Sequence, residues 1–251
     1  MIFPISDDNS ARVRTPYVNY LLLAANILVF VLLQGMGGNE RFTYAWATVP
    51  QEIVTGTDIA RAVTVTDPLT NEAVARIPLQ PTPVSVYLTL LTSMFMHGGF
   101  AHLFGNMLYL WIFGDNLEDR LGHARYLVFY LLCGLLASLA HVLTNTGSYV
   151  PSLGASGAIS GVLGGYILLY PHNRVHAIVL RFFTQIPAWA AIGVWFLFQL
   201  INGLGAFSQG SQVGGVAYAA HIGGFLAGLV LVKLFAAGRG PSAPAARPRG
   251  F

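Results

Sequence analysis

The run Ala220-His221-Ile222-Gly223-Gly224-Phe225-Leu226-Ala227-Gly228-Leu229-Val230-Leu231-Val232-Lys233 decides the fold. With its flanks it makes a stretch, residues 216–234, interrupted by one histidine before the closing Lys233. It is apolar on every side of a 3.6-residue turn, which marks a helix surrounded by lipid or by other helices. A helix of this length reaches across most of the roughly 30 Å of bilayer hydrocarbon. Five more stretches read the same way: residues 16–35, 102–117, 124–144, 156–170 and 187–204. Gly, Pro and charged residues punctuate them. Composition agrees: only 9% of the 251 residues are charged and 55% are apolar, where a soluble domain carries about 25% charge. The sequence predicts an all-α, polytopic membrane protein, a bundle of six transmembrane helices.

Between the first two stretches lies an insert, residues 37–87, carrying Glu40, Arg41, Glu52, Asp58, Arg61, Asp67, Glu72 and Arg76. It is too long for a bare loop. Apolar alternation over residues 62–77, with Pro68 between, predicts a hairpin there. Residues 1–15 read as a cytosolic N-terminal segment and 16–236 as the membrane domain. Residues 237–251, rich in Gly, Pro, Ala and Arg, read as a disordered cytosolic tail. Ten of the thirteen basic residues fall on one side of the membrane: Arg12, Arg14, Arg120, Arg125, Arg174, Arg181, Lys233, Arg239, Arg247 and Arg249. By the positive-inside bias both termini are cytosolic and the insert faces outward, a bacterial plasma membrane being the expected location. A net charge of +3 gathered at span ends gives no reason to expect a nucleic-acid partner. The first apolar run, about 20 residues, exceeds a signal-peptide core, so no cleavable leader is expected. Cys133, the single cysteine, lies within an apolar run and reads as a packing residue.

Polar side chains at membrane depth are costly and mark function by default. Four stand out: His102, Asn106, Ser156 and His221. Counting at 1.5 Å per helical residue from Asp115, Pro171 and Lys233 places His102, Ser156 and His221 about 20, 22 and 18 Å from one end of their spans. Three helices thus bring polar groups to one level. His141 lies near the outer end of its span and reads as interfacial.

Ser156 sits in Gly154-Ala155-Ser156-Gly157, where a turn-rich loop enters a helix. It can be an N-cap or a nucleophile at a helix end whose free N–H groups favour a developing anion. His221 can be a proton-relay or packing residue, or a general base for that serine. Gly224 and Gly228 follow it at three and seven positions, on its own helix face, and Gly157 and Gly161 form a second GxxxG pair. Such stripes let two helices approach closely, which favours a Ser156–His221 pair. Asp115, Glu118 and Asp119 lie at the far end of the second span beside Arg120. They read as a solvated ion cluster, leaving a dyad rather than a triad. His102 and Asn106 project from one helix face and suit oxyanion donors. His97 falls in the preceding turn. The three histidines lack the spacing and acidic partner of a helical zinc site, so no metal is expected.

Together, His97-Gly98-Gly99-Phe100-Ala101-His102-Leu103-Phe104-Gly105-Asn106, Gly154-Ala155-Ser156-Gly157 and Ala220-His221-Ile222-Gly223-Gly224 resemble the rhomboid family. The resemblance spans about residues 16–234. It implies a six-helix rhomboid-like core and an intramembrane serine endopeptidase that cuts transmembrane segments of single-pass protein substrates in the lipid bilayer, without cofactor. Ser156 would be the nucleophile and His221 the base. His102, Asn106 and the Ser156 N–H would be the oxyanion donors. Residues 205–218 would cap the site, and the fifth span, with Trp195, Phe196 and Phe198, would line a lateral substrate gate. Two departures stand out. Leu88-Thr89 replaces a Trp-Arg pair found in some members, and Ser160 replaces a tyrosine that stacks on the catalytic histidine. The imidazole must then be oriented in another way, by a hydroxyl or a water. Two rival readings are a rhomboid-like pseudoenzyme that binds membrane segments without cutting them and a small transporter using His102 and His221 as a proton relay. The intact serine and histidine argue against the first. The lack of an acidic residue at that depth and of inverted-repeat symmetry argues against the second.

Overall fold

The computed structural model describes residues 2–66, 70, 72–209 and 216–238, with the backbone alone for 206–209. Its elements run β1 (Ile2–Asp7), α1 (Tyr17–Leu28), α2 (Glu40–Trp46), α3 (Pro50–Thr55), β2 (Ala62–Thr66) and β3 (Ala73–Pro78). They continue α4 (Thr89–Thr92), α5 (Phe100–Leu121), α6 (His123–Thr144), α7 (Ser156–Leu169), β4 (Arg174–Val179), β5 (Phe182–Pro187), α8 (Ala188–Gln209) and α9 (Tyr218–Ala236). Each of the six apolar stretches overlaps one of the helices α1, α5, α6, α7, α8 and α9. Helix α1 goes on through a widened turn, Val29–Leu33. Among the described residues, three helices are long and apolar enough to cross a membrane: α6, α8 over Ala188–Gly205, and α9. Helix α7, at 14 residues, reaches only about 21 Å, and α5 carries Asp115, Glu118, Asp119 and Arg120.

Helix α7 is the axis of the bundle. Every residue from Gly157 to Tyr166 is buried, as expected of a helix apolar all round. It packs on α5, α6 and, most extensively, α9. The glycine stripes make that last contact. A Cβ added at Gly224 would run into the Gly157 carbonyl oxygen, and one at Gly228 into that of Gly161. Cys133 of α6 is fully buried against the opposite side of Gly161.

The fold is mostly helical but not all-α. A three-stranded antiparallel sheet, ordered β1-β4-β5, sits where α7 ends and α8 begins. Ile2–Asp7 pairs with Val175–Val179. No local pattern reveals this pairing, because its partners lie some 170 positions apart. The second sheet is the predicted hairpin, β2 against β3; Asp67 and Pro68 of its turn lie outside the described residues. So do most of the predicted tail and its Arg239, Arg247 and Arg249.

The acidic cluster at the end of α5 is also not as expected. Asp115, Glu118 and Asp119 are buried rather than solvated. Glu118 accepts from the Val18 and Asn19 backbone N–H groups at 2.9 and 2.6 Å, and Asp119 from those of Val13 and Arg14 at 3.1 and 2.6 Å. Arg12 pairs with Asp115. The carboxylates supply acceptors for the otherwise orphaned donors where α1 begins. The sequence separation of about 100 residues hid this contact. Nearby, Tyr166 and Asn116 donate to Asp7 Oδ2 at 2.5 and 2.8 Å. Burial pushes the Asp7 carboxyl above its ordinary value even though those hydrogen bonds favour its charged form.

Candidate active site

At the end of the bundle away from the three-stranded sheet, a cavity of about 1050 Å³ is lined by His102, Asn106, Tyr109, Ser156, Trp195 and His221, among others. Ser156 is the first residue of α7 and makes no capping bond with its side chain, which sets the N-cap reading aside. Its Oγ lies 2.8 Å from His221 Nε2. The close α7–α9 approach makes this distance possible.

The loop before the serine is held from outside the bundle. Thr48, between α2 and α3, exchanges backbone hydrogen bonds with Ser152 at 3.0 and 2.7 Å, and the Gly154 N–H donates to the Ser93 carbonyl at 2.9 Å. The Thr48 hydroxyl reaches Ser93 Oγ at 2.9 Å and the Thr89 carbonyl at 2.8 Å. The insert therefore braces the segment that presents Ser156. Thr89, where some rhomboids carry a charged residue, is fully buried in this brace.

His102 and Asn106 face the cavity from α5. The Gly98 N–H donates to His102 Nδ1 at 3.2 Å, so the neutral ring carries its hydrogen on Nε2. That Nε2 lies against Gly154, where an added Cβ would sit 2.8 Å from it and 3.6 Å from Ser156 Oγ. Gly154 also has φ +128, a conformation open to glycine. Asn106 is 7% exposed, and its Nδ2 has no hydrogen-bond acceptor among the described residues. A buried amide donor without an acceptor is unusual. His102 Nε2–H, Asn106 Nδ2 and the N–H groups opening α7 thus form a set of donors around Ser156.

His97 stays outside this set. Its backbone is gripped by Gln34, which accepts from the His97 N–H at 2.8 Å and donates to its carbonyl at 3.0 Å. Its ring packs edge-on against His102 at 5.1 Å. Among the described residues, no three His, Cys, Asp or Glu side chains converge as a metal site would. His141 also lines the cavity.

The gate residues separate. Trp195 lines the cavity, its ring 6.0 Å from His221 and 6.4 Å from Tyr109 of α5. Phe196 stacks on Phe225 at 4.0 Å. Phe198 is 60% exposed and is not among the residues lining the cavity. Of the expected cap, residues 210–215 lie outside the described residues, while Val216, Ala217 and Tyr218 line the cavity.

The sequence left open what orients His221. Ser160 does not, because its hydroxyl donates to the Ser156 carbonyl at 2.6 Å. The ring's Nδ1 instead lies 2.8 Å from Gln199 Oε1 of α8. The only signal for Gln199 was an amide within an apolar span, four positions after Trp195.

The family model of the Rhomboid domain matches residues 85–238, more than half of the chain. Rhomboid protein 1, mitochondrial, of Saccharomyces cerevisiae is 35% identical over 156 residues, which cover 61% of this chain and 43% of that protein. Rhomboid protease GluP of Bacillus subtilis is 30% identical over 213 residues, 85% of this chain and 34% of that protein. Presenilin-associated rhomboid-like protein, mitochondrial, of Bos taurus is 32% identical over 148 residues, 56% and 36% of the two chains. The chain spans less than half the length of these relatives.

Proposed function

The chain belongs to the rhomboid family and is an integral membrane protein, and from that premise we propose that it is a serine endopeptidase cutting transmembrane segments of single-pass membrane proteins. The 2.8 Å contact between Ser156 Oγ and His221 Nε2, inside a cavity ringed by donors, carries this reading. Ser156 Oγ attacks the scissile carbonyl carbon while His221 Nε2 takes the hydroxyl proton. The carbonyl oxygen becomes an oxyanion, which His102 Nε2–H, Asn106 Nδ2–H and the Ser156 N–H receive. The imidazolium then gives its proton to the leaving amine as the C–N bond breaks, leaving an acyl-enzyme. Water, deprotonated by His221, attacks the ester carbonyl; the C–Oγ bond breaks, the imidazolium returns its proton to Ser156 Oγ, and the new carboxyl end leaves. These steps ask for neither metal nor cofactor.

The six apolar helices are proposed as six spans. The sheet end, with Arg12, Arg14 and Arg174, faces the cytosol with both termini, and the insert and cavity face outward, in keeping with the positive-inside bias. Peptide bonds in an intact helix are shielded, so a substrate segment must unwind to reach Ser156. Substrates with small or helix-breaking residues near the outer face are therefore favoured. Helix α8, packed less extensively on the bundle than α7 or α9, is the side by which a segment enters past Trp195. The test incubates the purified protein with a single-pass model substrate. Wild type yields two fragments and Ser156→Ala none. A folded wild type that binds the substrate without cutting it would instead mark a binding pseudoenzyme.

A further inference from the structure

We propose that Gln199 is the positioning residue of this site, standing where a carboxylate stands in a Ser-His-Asp triad; the inference rests on the protease reading above. An amide carbonyl oxygen can only accept a hydrogen bond. With Gln199 Oε1 at 2.8 Å, His221 Nδ1 must carry the ring hydrogen. That leaves the lone pair on Nε2, 2.8 Å from the Ser156 hydroxyl, as a base requires. The amide's own orientation is set in turn. Gln199 Nε2 is directed at the Trp195 carbonyl at 3.5 Å. Flipping the amide would bring two carbonyl oxygens together at Trp195.

The two cavity histidines therefore hold opposite tautomers, each fixed by a neighbour. Gly98 N–H makes His102 a donor through Nε2, and Gln199 makes His221 an acceptor through Nε2. A neutral amide adds no counter-charge for the imidazolium, so its contribution is orientation and tautomer. The orienting group comes from α8, the helix that also carries Trp195. A displacement of α8 that breaks the Gln199 bond frees the imidazole, so the proposed entry helix also sets the base.

The test compares Gln199→Leu, which keeps size without an acceptor, and Gln199→Glu, which keeps an acceptor at the same reach. Gln199→Met is a second acceptor-free variant in case the leucine protein misfolds. Rates of covalent labelling by a fluorophosphonate and kcat for a single-pass substrate are measured in parallel. Partners that orient metal-ligating histidines typically contribute about 10- to 100-fold, and a comparable loss is expected for a base held in the same way. The leucine and methionine variants should lose that much in labelling rate and kcat with KM nearly unchanged, while the glutamate variant retains most of both. A merely structural role on this apolar helix predicts the reverse order, because leucine suits lipid-facing surroundings and glutamate does not. Acceptor-free variants at the wild-type rate, or glutamate falling as far as leucine, would overturn the assignment while leaving the dyad standing. A wild type that neither labels nor cleaves would overturn both.

Discussion

Asn106 has a buried amide nitrogen without an acceptor among the described residues, an arrangement that costs stability and that the proposed reaction would put to use. Removing it tests that use. Loss of one oxyanion donor typically costs about 100- to 1000-fold in kcat. With His102 Nε2–H and the Ser156 N–H still in place, Asn106→Ala should lower kcat by no more than that range, with KM little changed, in a cleavage assay. Complete loss of cleavage in a folded variant would assign Asn106 another, essential role. That Ser156, His221, His102 and Asn106 line one cavity was legible in the sequence because a polar group at membrane depth is conspicuous and three of the four fall at one counted level. Gln199 was as polar and as deep, yet its partner lies 22 positions away on another helix, and only folding shows which side chain it meets. Trp195 and Phe198 looked alike in sequence. In the structure one lines the cavity and the other is exposed, although three positions apart on α8.

Helices α7 and α9 touch backbone to backbone because Gly157, Gly161, Gly224 and Gly228 leave room for each other. That contact was readable from the two GxxxG spacings, since the stripes only make sense if something lies against them. Gly228 lies two turns from His221, so Gly228→Val forces α9 away from the Gly161 carbonyl without touching the catalytic groups. Overpacking of this kind costs about 1–3 kcal/mol. The variant should melt earlier in detergent and lose cleavage together with stability. Wild-type melting and activity would mean that the close approach is not what holds the dyad. The acidic cluster of α5 shows the opposite case. Carboxylates beside an arginine at a helix end ordinarily face solvent, and nothing local to residues 115–119 announces that residues 12–19 fold over them. The β1–β4 pairing escaped for the same reason, being entirely long-range; the β2–β3 hairpin is local and was legible as an alternation, whereas the equally local β4–β5 hairpin was missed.

Across the whole molecule, the parts of the site come from elements far apart in the chain. The proposed nucleophile opens α7, the proposed base lies on α9, the proposed side-chain donors lie on α5, and the insert braces the serine loop through Thr48. A serine hydroxyl is a weak nucleophile until a positioned base takes its proton, so the reactivity of Ser156 reports whether this assembly works as a unit. The most direct measurement is covalent labelling of the folded protein in detergent or liposomes by a fluorophosphonate probe, which needs no knowledge of the natural substrate. Wild type should label, Ser156→Ala and His221→Ala should not, and His102→Ala should keep part of the signal. Normal labelling of His221→Ala with loss in His102→Ala would move the base to α5, and a folded wild type that never labels would contradict the dyad altogether.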